Sequence, residues 1–240
     1  MTMKTEFDGL FQAIRQHAEA EYPRECCGVI SGGQYIPMKN RAEDPENDFR
    51  MPDDIMTRYS VSAVVHSHPD AEDAPSEADM LSQIATAVPW GICSVTRNGA
   101  GRPWFWGGGI GVPDLIGREF RHGPSGSDGK GDCYALIRDW YRVERGILLP
   151  EFPRGDGWWE RGQNLYAEHF SEAGFREIPA EEARDGDVFF MKILAGCENH
   201  AGILTGGGQL ILHHLSGRLS RQEPLGRWRK FISRWVRYTG

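Results

Sequence analysis

Apolar residues recur at helical spacing in some stretches of the chain and gather into short β-branched or aromatic runs in others, which predicts a mixed α/β (α+β) protein. Leu10, Ile14 and Ala18 stand four residues apart with Phe11 beside them, so Leu10 to Glu21 reads as an amphipathic helix that Pro23 ends. Cys27 to Ser31 closes on Gly32-Gly33 and reads as a buried strand and turn, and the acidic, Pro-bearing stretch Asn40 to Asp54 as a long loop. Val61 to Val65 is a β-branched run, and Pro69 predicts that the strand stops at His66-Ser67-His68, leaving both histidines at its end. Ser76-Glu77-Ala78-Asp79, followed by Met80, Leu81, Ile84 and Val88, carries the capping-box signature of a helix start. Trp90 to Thr96 and Arg102 to Trp106 read as further strands.

Gly107 to Lys130 is rich in Gly, Pro and Ser and has no sustained period, so two domains are expected, 1–112 and 129–240, joined by a linker over 113–128. Beyond it a helical face runs from Cys133 through Leu136, Ile137, Trp140, Tyr141 and Val143 to Gly146. Asp187 to Leu194, His200 to Thr205, Gln209 to His214 and Arg227 to Tyr238 read as strands, the middle pair joined through Gly206-Gly207-Gly208. The last run is basic and aromatic. It reads as a sheet strand with solvated arginines, or as a surface for an acidic partner or glycan.

Composition narrows the picture little. The chain has 240 residues, 40 % hydrophobic, 25 % charged and 11 % aromatic, as in a folded domain rather than a disordered one. A net charge of -7 gives no general pull toward phosphate backbones, so nucleic acid is not an expected partner. Lys4, Glu6, Asp8 and Arg15 interrupt the apolar residues near the N-terminus, so no signal peptide is expected and the chain should begin in the cytoplasm. No run reaches the ~20 apolar residues of a membrane span, and no membrane insertion is expected. Five scattered cysteines do not form a disulfide framework; each is core filler, ligand or nucleophile.

Two clusters carry chemistry. In the first, His66 and His68 point to one side of an extended segment, and a carboxylate in the first turn of the following helix, Asp79, can face them. Two imidazoles and one carboxylate suit Zn²⁺ and leave a fourth position for water. The bare pieces also read as a helix cap after a polar loop, and Cys26 and Cys27 as core residues rather than thiolate ligands. The whole string, His66-Ser67-His68, seven residues, Ser76, two residues, Asp79, resembles the JAMM motif of JAB1/MPN metallopeptidases, and Glu25-Cys26-Cys27-Gly28-Val29-Ile30 resembles the glutamate segment of that family. The resemblance implies an MPN-type sheet with flanking helices, Zn²⁺ on His66, His68 and Asp79, Glu25 as general acid/base and Ser76 stabilising the oxyanion.

In the second, Cys133 follows Asp132 and opens a helix whose positive end is expected to lower a thiol pKa. His200 follows 67 residues later, and the next strand ends in His213-His214. A three-residue loop between these strands would set His214 against His200, and a four-residue loop including Gln209 would set His213 there; His213 is the preferred choice. Asp132-Cys133-x-x-Leu136, Gly186-Asp187-Val188-Phe189-Phe190, His200-Ala201-Gly202-Ile203 and the terminal histidine resemble the NlpC/P60 cell-wall peptidases. This implies a papain-like domain of helix plus antiparallel sheet, with Cys133 as nucleophile, His200 as base and His213 orienting it. Phe120 stands where that family usually has a tyrosine.

A JAMM unit ahead of an NlpC/P60 unit resembles the tail tip assembly proteins of tailed bacteriophages. That implies action in the host cytoplasm or at the virion tail tip. The implied partners are peptidoglycan stem peptides, cut at the γ-D-glutamyl-diaminopimelate link, or tail proteins, including one with a ubiquitin-like fold. The competing expectation is an assembly factor that uses both folds for binding alone.

Overall fold

A computed structural model describes residues 2–240. The chain divides into two compact units, 2–111 with 126–128, and 112–125 with 129–240.

In the first unit, α1 (Phe11–Glu21) precedes strands β1 (Cys27–Ser31) and β2 (Gln34–Met38). The short α2 (Ile55–Arg58) leads to β3 (Val61–Pro69), α3 (Glu77–Thr86), β4 (Trp90–Thr96), β5 (Gly99–Ala100) and β6 (Trp104–Trp106). The sheet order is β2-β1-β3-β4-β5, with β6 also on β4. β3 and β4 run parallel and the other pairs antiparallel. Alternation along each strand divides the core. Ile30, Val65, Cys93 and Phe105 pack with Ile14 and Ala18 of α1 on one side, while Val29, Val64, Ile92 and the tryptophans 90, 104 and 106 pack on the other. At ~1.5–3 kcal/mol per large side chain, this burial is what outweighs the entropy of ordering the sheet.

β3 ends at Pro69, so both histidines lie in its last four residues as expected, but the ladder continues through them. It pairs with β4 through Pro69 opposite Val95, and the next residue, Asp70, donates its N–H to the Val95 carbonyl. Proline is tolerated because it is the last residue of the strand, where one missing donor costs little. His66 and His68 therefore stand inside a paired strand.

In the second unit, α4 (Cys133–Arg145) ends on Gly146 in the left-handed conformation. It is followed by α5 (Leu165–His169), β7 (Phe175–Ile178), β8 (Val188–Met191), β9 (His200–Thr205), β10 (Leu210–His213), β11 (Arg221–Pro224) and β12 (Ile232–Tyr238). All six strands are antiparallel, in the order β11-β10-β9-β8-β12-β7. α4 lays Leu136, Ile137, Trp140 and Tyr141 on Val188, Phe190, Ile203 and Val236; Phe189, Met191, Leu204 and Trp235 fill the other face. The basic C-terminal run begins as turns and becomes strand only at Ile232. Its Arg234 and Arg237 meet Glu177, Glu198 and Asp187. Within the Gly-rich stretch, Arg118 is buried on Asp139 at 2.6 Å, so these residues carry packed structure.

Candidate functional site

The first cluster is built on β3 and the start of α3. His66 and His68, two residues apart on one strand, share a face. Ser76 caps α3: its Oγ accepts the Asp79 N–H, and the Asp79 carboxylate accepts the Ser76 N–H at 2.8 Å and the Ser76 hydroxyl at 2.7 Å. The same box that starts the helix thus aims Asp79 at the histidines. His66 Nε2 lies 3.0 Å from His68 Nε2 and 3.2 Å from one Asp79 oxygen, and His68 Nε2 lies 3.5 Å from the other. Ligands at Zn–N distances of 2.0–2.1 Å in a tetrahedron stand roughly 3.3 Å apart, a spacing close to each of these contacts, so the donor set is compatible with Zn²⁺. His68 Nδ1 meets the Glu72 carbonyl at 2.9 Å, which assigns the proton to Nδ1 and leaves the Nε2 lone pair for an ion. Phe49 stacks on His66 at 4.7 Å, and Trp90 meets it edge-on at 5.7 Å.

Burial raises the Asp79 carboxyl, but the two imidazoles and the Ser76 hydroxyl outweigh it and hold the group well below the usual carboxylate range. Glu25 enters from just before β1. Ser67, between the histidines, accepts the Cys26 N–H at 2.7 Å, and Cys27 pairs with His66 across the sheet, which fixes the segment. Burial pushes the Glu25 carboxyl up to about 7, so it can both take and return a proton near neutral pH. Cys26 and Cys27 are buried, with thiols pushed up to about 11 and about 12 by burial. His66, His68 and Asp79 form a metal-compatible group without them.

The second cluster gathers on β9, β10, β11 and the start of α4. Asp132 caps α4 by accepting the Ala135 N–H and is itself clamped by Arg154 at 2.6 and 3.0 Å. Cys133 Sγ lies 3.1 Å from the Tyr166 hydroxyl on α5, and the Ala201 N–H of β9 points to the sulfur. The expected lowering by the helix end does not prevail at this thiol. Burial, and then the Asp132 carboxylate, push it up to about 11, so the resting group is a neutral thiol. His200 is likewise neutral, lowered by burial and then by His213 and His214.

Thr205 pairs with Leu210, so the loop between β9 and β10 is Gly206 to Gln209, four residues long. Its three glycines have φ of 63°, 69° and 82°, a left-handed run that other residues rarely adopt, and Asp185 accepts the N–H groups of Gly207 and Gly208. This register sets His213 opposite Gly202, on the face of His200, and His200 Nε2 meets His213 Nδ1 at 3.1 Å. His214, just past the end of β10, meets Phe120 edge-on instead.

Two residues escaped the sequence reading. Tyr166 sits in a helix too short to show a period. Glu223, on β11, lies buried with one oxygen 3.7 Å from His213 Nε2, while the other accepts the Trp228 indole N–H at 3.1 Å and meets Arg227. The only signal for it was two-residue alternation, since it stands two residues from Arg221, the partner of His213. A cavity of about 460 Å³ opens beside Cys133 and reaches Tyr166, Phe190, His200 and His214.

Comparison with known proteins gives two domains in series. A family model for prokaryotic homologs of the JAB domain matches residues 8–107, and the NlpC/P60 family model matches residues 101–237. Tail tip assembly protein K of Escherichia phage N15 is 36% identical over 239 residues, covering 94% of this chain and 93% of that protein. The protein of the same name from Escherichia phage lambda is 36% identical over 180 residues, covering 75% and 79%. Among solved structures, an NLP/P60-family lipoprotein-like protein of Staphylococcus aureus aligns over 56% of this chain and 45% of its own, at 18% identity and a TM-score of 0.38. A Salinibacter ruber protein aligns over 45% and 81%, at 19% identity and a TM-score of 0.27. No helix among the described residues is long and apolar enough to cross a membrane.

Proposed function

The chain belongs to the tail tip assembly protein K family and joins a JAB-type to an NlpC/P60-type domain, and from that premise we propose that it serves phage tail tip assembly as a hydrolase with two separate peptidase sites. The observation that carries the proposal is the imidazole pair His200–His213, backed by the Glu223 carboxylate, with His200 lining the same cavity as the Cys133 thiol at the start of α4. Such an arrangement lets His200 accept the thiol proton while His213 and Glu223 steady the imidazolium.

In this mechanism the bond from His200 Nε2 to His213 leaves Nδ1 of His200 to take the proton. The thiolate attacks the substrate carbonyl, a C–S bond forms, and the C–N bond breaks as His200 returns the proton to the leaving amine. Water, deprotonated by the same imidazole, then hydrolyses the thioester and frees the acid and the thiol. Tyr166, already on the sulfur, donates its hydroxyl to the thiolate as charge develops. The substrate is a peptidoglycan stem peptide, cut at the γ-D-glutamyl-diaminopimelate link, or a tail protein.

At the JAB-type site, His66, His68 and Asp79 would hold Zn²⁺, which when bound supplies Lewis acidity for amide hydrolysis. Glu25 holds and returns the proton, and Ser76 orients Asp79. The substrate proposed for it is a peptide or isopeptide bond of a tail protein, one with a ubiquitin-like fold included. The deciding experiment incubates purified peptidoglycan and separately expressed tail tip proteins with wild type and with Cys133→Ala, and identifies products by mass spectrometry. Cleavage lost in the variant supports the proposal; no cleavage of either substrate by wild type leaves assembly by binding as the better reading.

A further inference from the structure

We infer that the cavity beside Cys133 receives a large apolar side chain of a protein segment next to the bond under attack. The inference rests on Cys133 being the nucleophile, as proposed above, and selects a tail protein over a stem peptide. The cavity does not stop at the surface. From Cys133 it runs to Ile137, Phe175, Phe190 and Val236, which belong to the apolar core of the same unit. At about 460 Å³ it has the size of sites that enclose a small ligand or a bulky side chain.

The basic groups of its wall are already engaged. Arg154 is the single guanidinium among the lining residues, and no lysine lines the cavity. Its Nε and Nη2 bind Asp132, and its Nη1 binds Glu151 and the Phe152 carbonyl. His122 bonds the Arg154 carbonyl at 3.0 Å and lies 3.8 Å from Asp156, and His169 bonds Glu172 at 3.1 Å. Asp156 and Glu160 add negative charge to the lining. A γ-D-glutamyl link brings a free carboxylate beside the bond to be cut, and here it would be desolvated without a cation to meet it. An apolar side chain carries no such penalty and gains by burial.

The test is thiol labelling of the full chain, with modification of Cys133 read by peptide mass spectrometry because the chain has five cysteines. N-benzylmaleimide and N-carboxymethylmaleimide carry one reactive group and differ in an apolar against an anionic arm. Their rate ratio in the folded protein is divided by the ratio in the urea-unfolded chain. The expected corrected ratio favours the benzyl reagent at least about tenfold, as burial of an aromatic ring predicts. It should fall toward one in Leu165→Glu, which sets a carboxylate in the wall. A wild-type ratio of one or less overturns the inference, whether or not the variant folds, and so does protection of Cys133 by a γ-D-glutamyl-diaminopimelate peptide but not by an N-acetylphenylalanine amide. Iodoacetamide labelling of His200→Ala tests the underlying reading separately. A pH profile unchanged from wild type would remove His200 as the base and leave the apolar preference standing.

Discussion

The two sites are prepared in opposite ways. At the first, the candidate ligand atoms are already gathered in the resting chain: the two imidazole nitrogens stand 3.0 Å apart and lie 3.2 and 3.5 Å from different oxygens of Asp79, held by strand alternation and a capping box. At the second, the atoms are gathered but the charges are not, because burial keeps the Cys133 thiol and the His200 imidazole neutral. Ligands gathered in advance spare an incoming ion the cost of ordering them. A thiol nucleophile, by contrast, can stay protonated, hence unreactive, until a substrate repays the desolvation.

The largest effects should divide cleanly between the units. Asp79→Ala is expected to lower zinc affinity at least about a hundredfold, measured by metal analysis after dialysis, because one of three ligands is lost. It should leave Cys133 labelling unchanged. Cys133→Ala should abolish stem-peptide or tail-protein cleavage and leave zinc content unchanged. Loss of both properties in either variant would break the view that the sites are prepared independently.

The resting charge state makes a smaller, pH-dependent prediction. With the thiol pushed up to about 11, its alkylation rate should still be climbing at pH 9 to 10; a midpoint below 7 would mean a preformed thiolate–imidazolium pair and would erase the contrast. The sign for stability follows. Below the unfolded thiol value near 9 both states are protonated and Cys133 contributes nothing, whereas above it the unfolded chain ionises first and stability falls toward pH 11. Cys133→Ala removes that alkaline loss, which denaturant titration at pH 8 and 10 would measure. Tyr166→Phe should move the alkylation midpoint higher still and slow labelling several-fold at pH 8, since the phenol contact favours thiolate. Glu223→Gln should lower turnover about tenfold with KM little changed and flatten its pH profile, because Glu223 touches His213 and not the substrate.

Why the first site was legible and the second only half so has a physical basis. His66, His68, Ser76 and Asp79 lie within fourteen residues, and the geometry that unites them is the period of a strand and the first turn of a helix, both written in local sequence. Cys133, Tyr166, His200, His213 and Glu223 come from five elements, three strands joined by sheet pairing and two helices packed on the sheet. Loop length decided between His213 and His214, and it became certain only with Thr205 paired to Leu210. The thiol's charge state was misread because the helix end is a local feature, whereas the burial that overrides it is a property of the fold. The strands β2, β7 and β11 were missed for a related reason: Gln34–Met38, Phe175–Ile178 and Arg221–Pro224 are short and lack a clear apolar run, so pairing with neighbours rather than propensity makes them strands.

The smallest predicted effect tests whether the capping box and the ligand set are one device. Ser76 was expected to stabilise an oxyanion, yet its hydroxyl lies 2.7 Å from the Asp79 carboxylate it would have to leave. If the hydroxyl serves chiefly to cap α3 and hold that carboxylate, Ser76→Ala should cost about 1 kcal/mol of stability and weaken zinc binding roughly tenfold together. Ser76→Asn, which retains a capping oxygen, should restore most of the stability and, if the box is what aims Asp79, much of the zinc affinity as well. If Ser76 instead meets the substrate, Ser76→Ala should keep its zinc and lose turnover alone. Metal content and thermal unfolding of these two variants separate the roles without needing the natural substrate, because only the capping role couples helix stability to the ion.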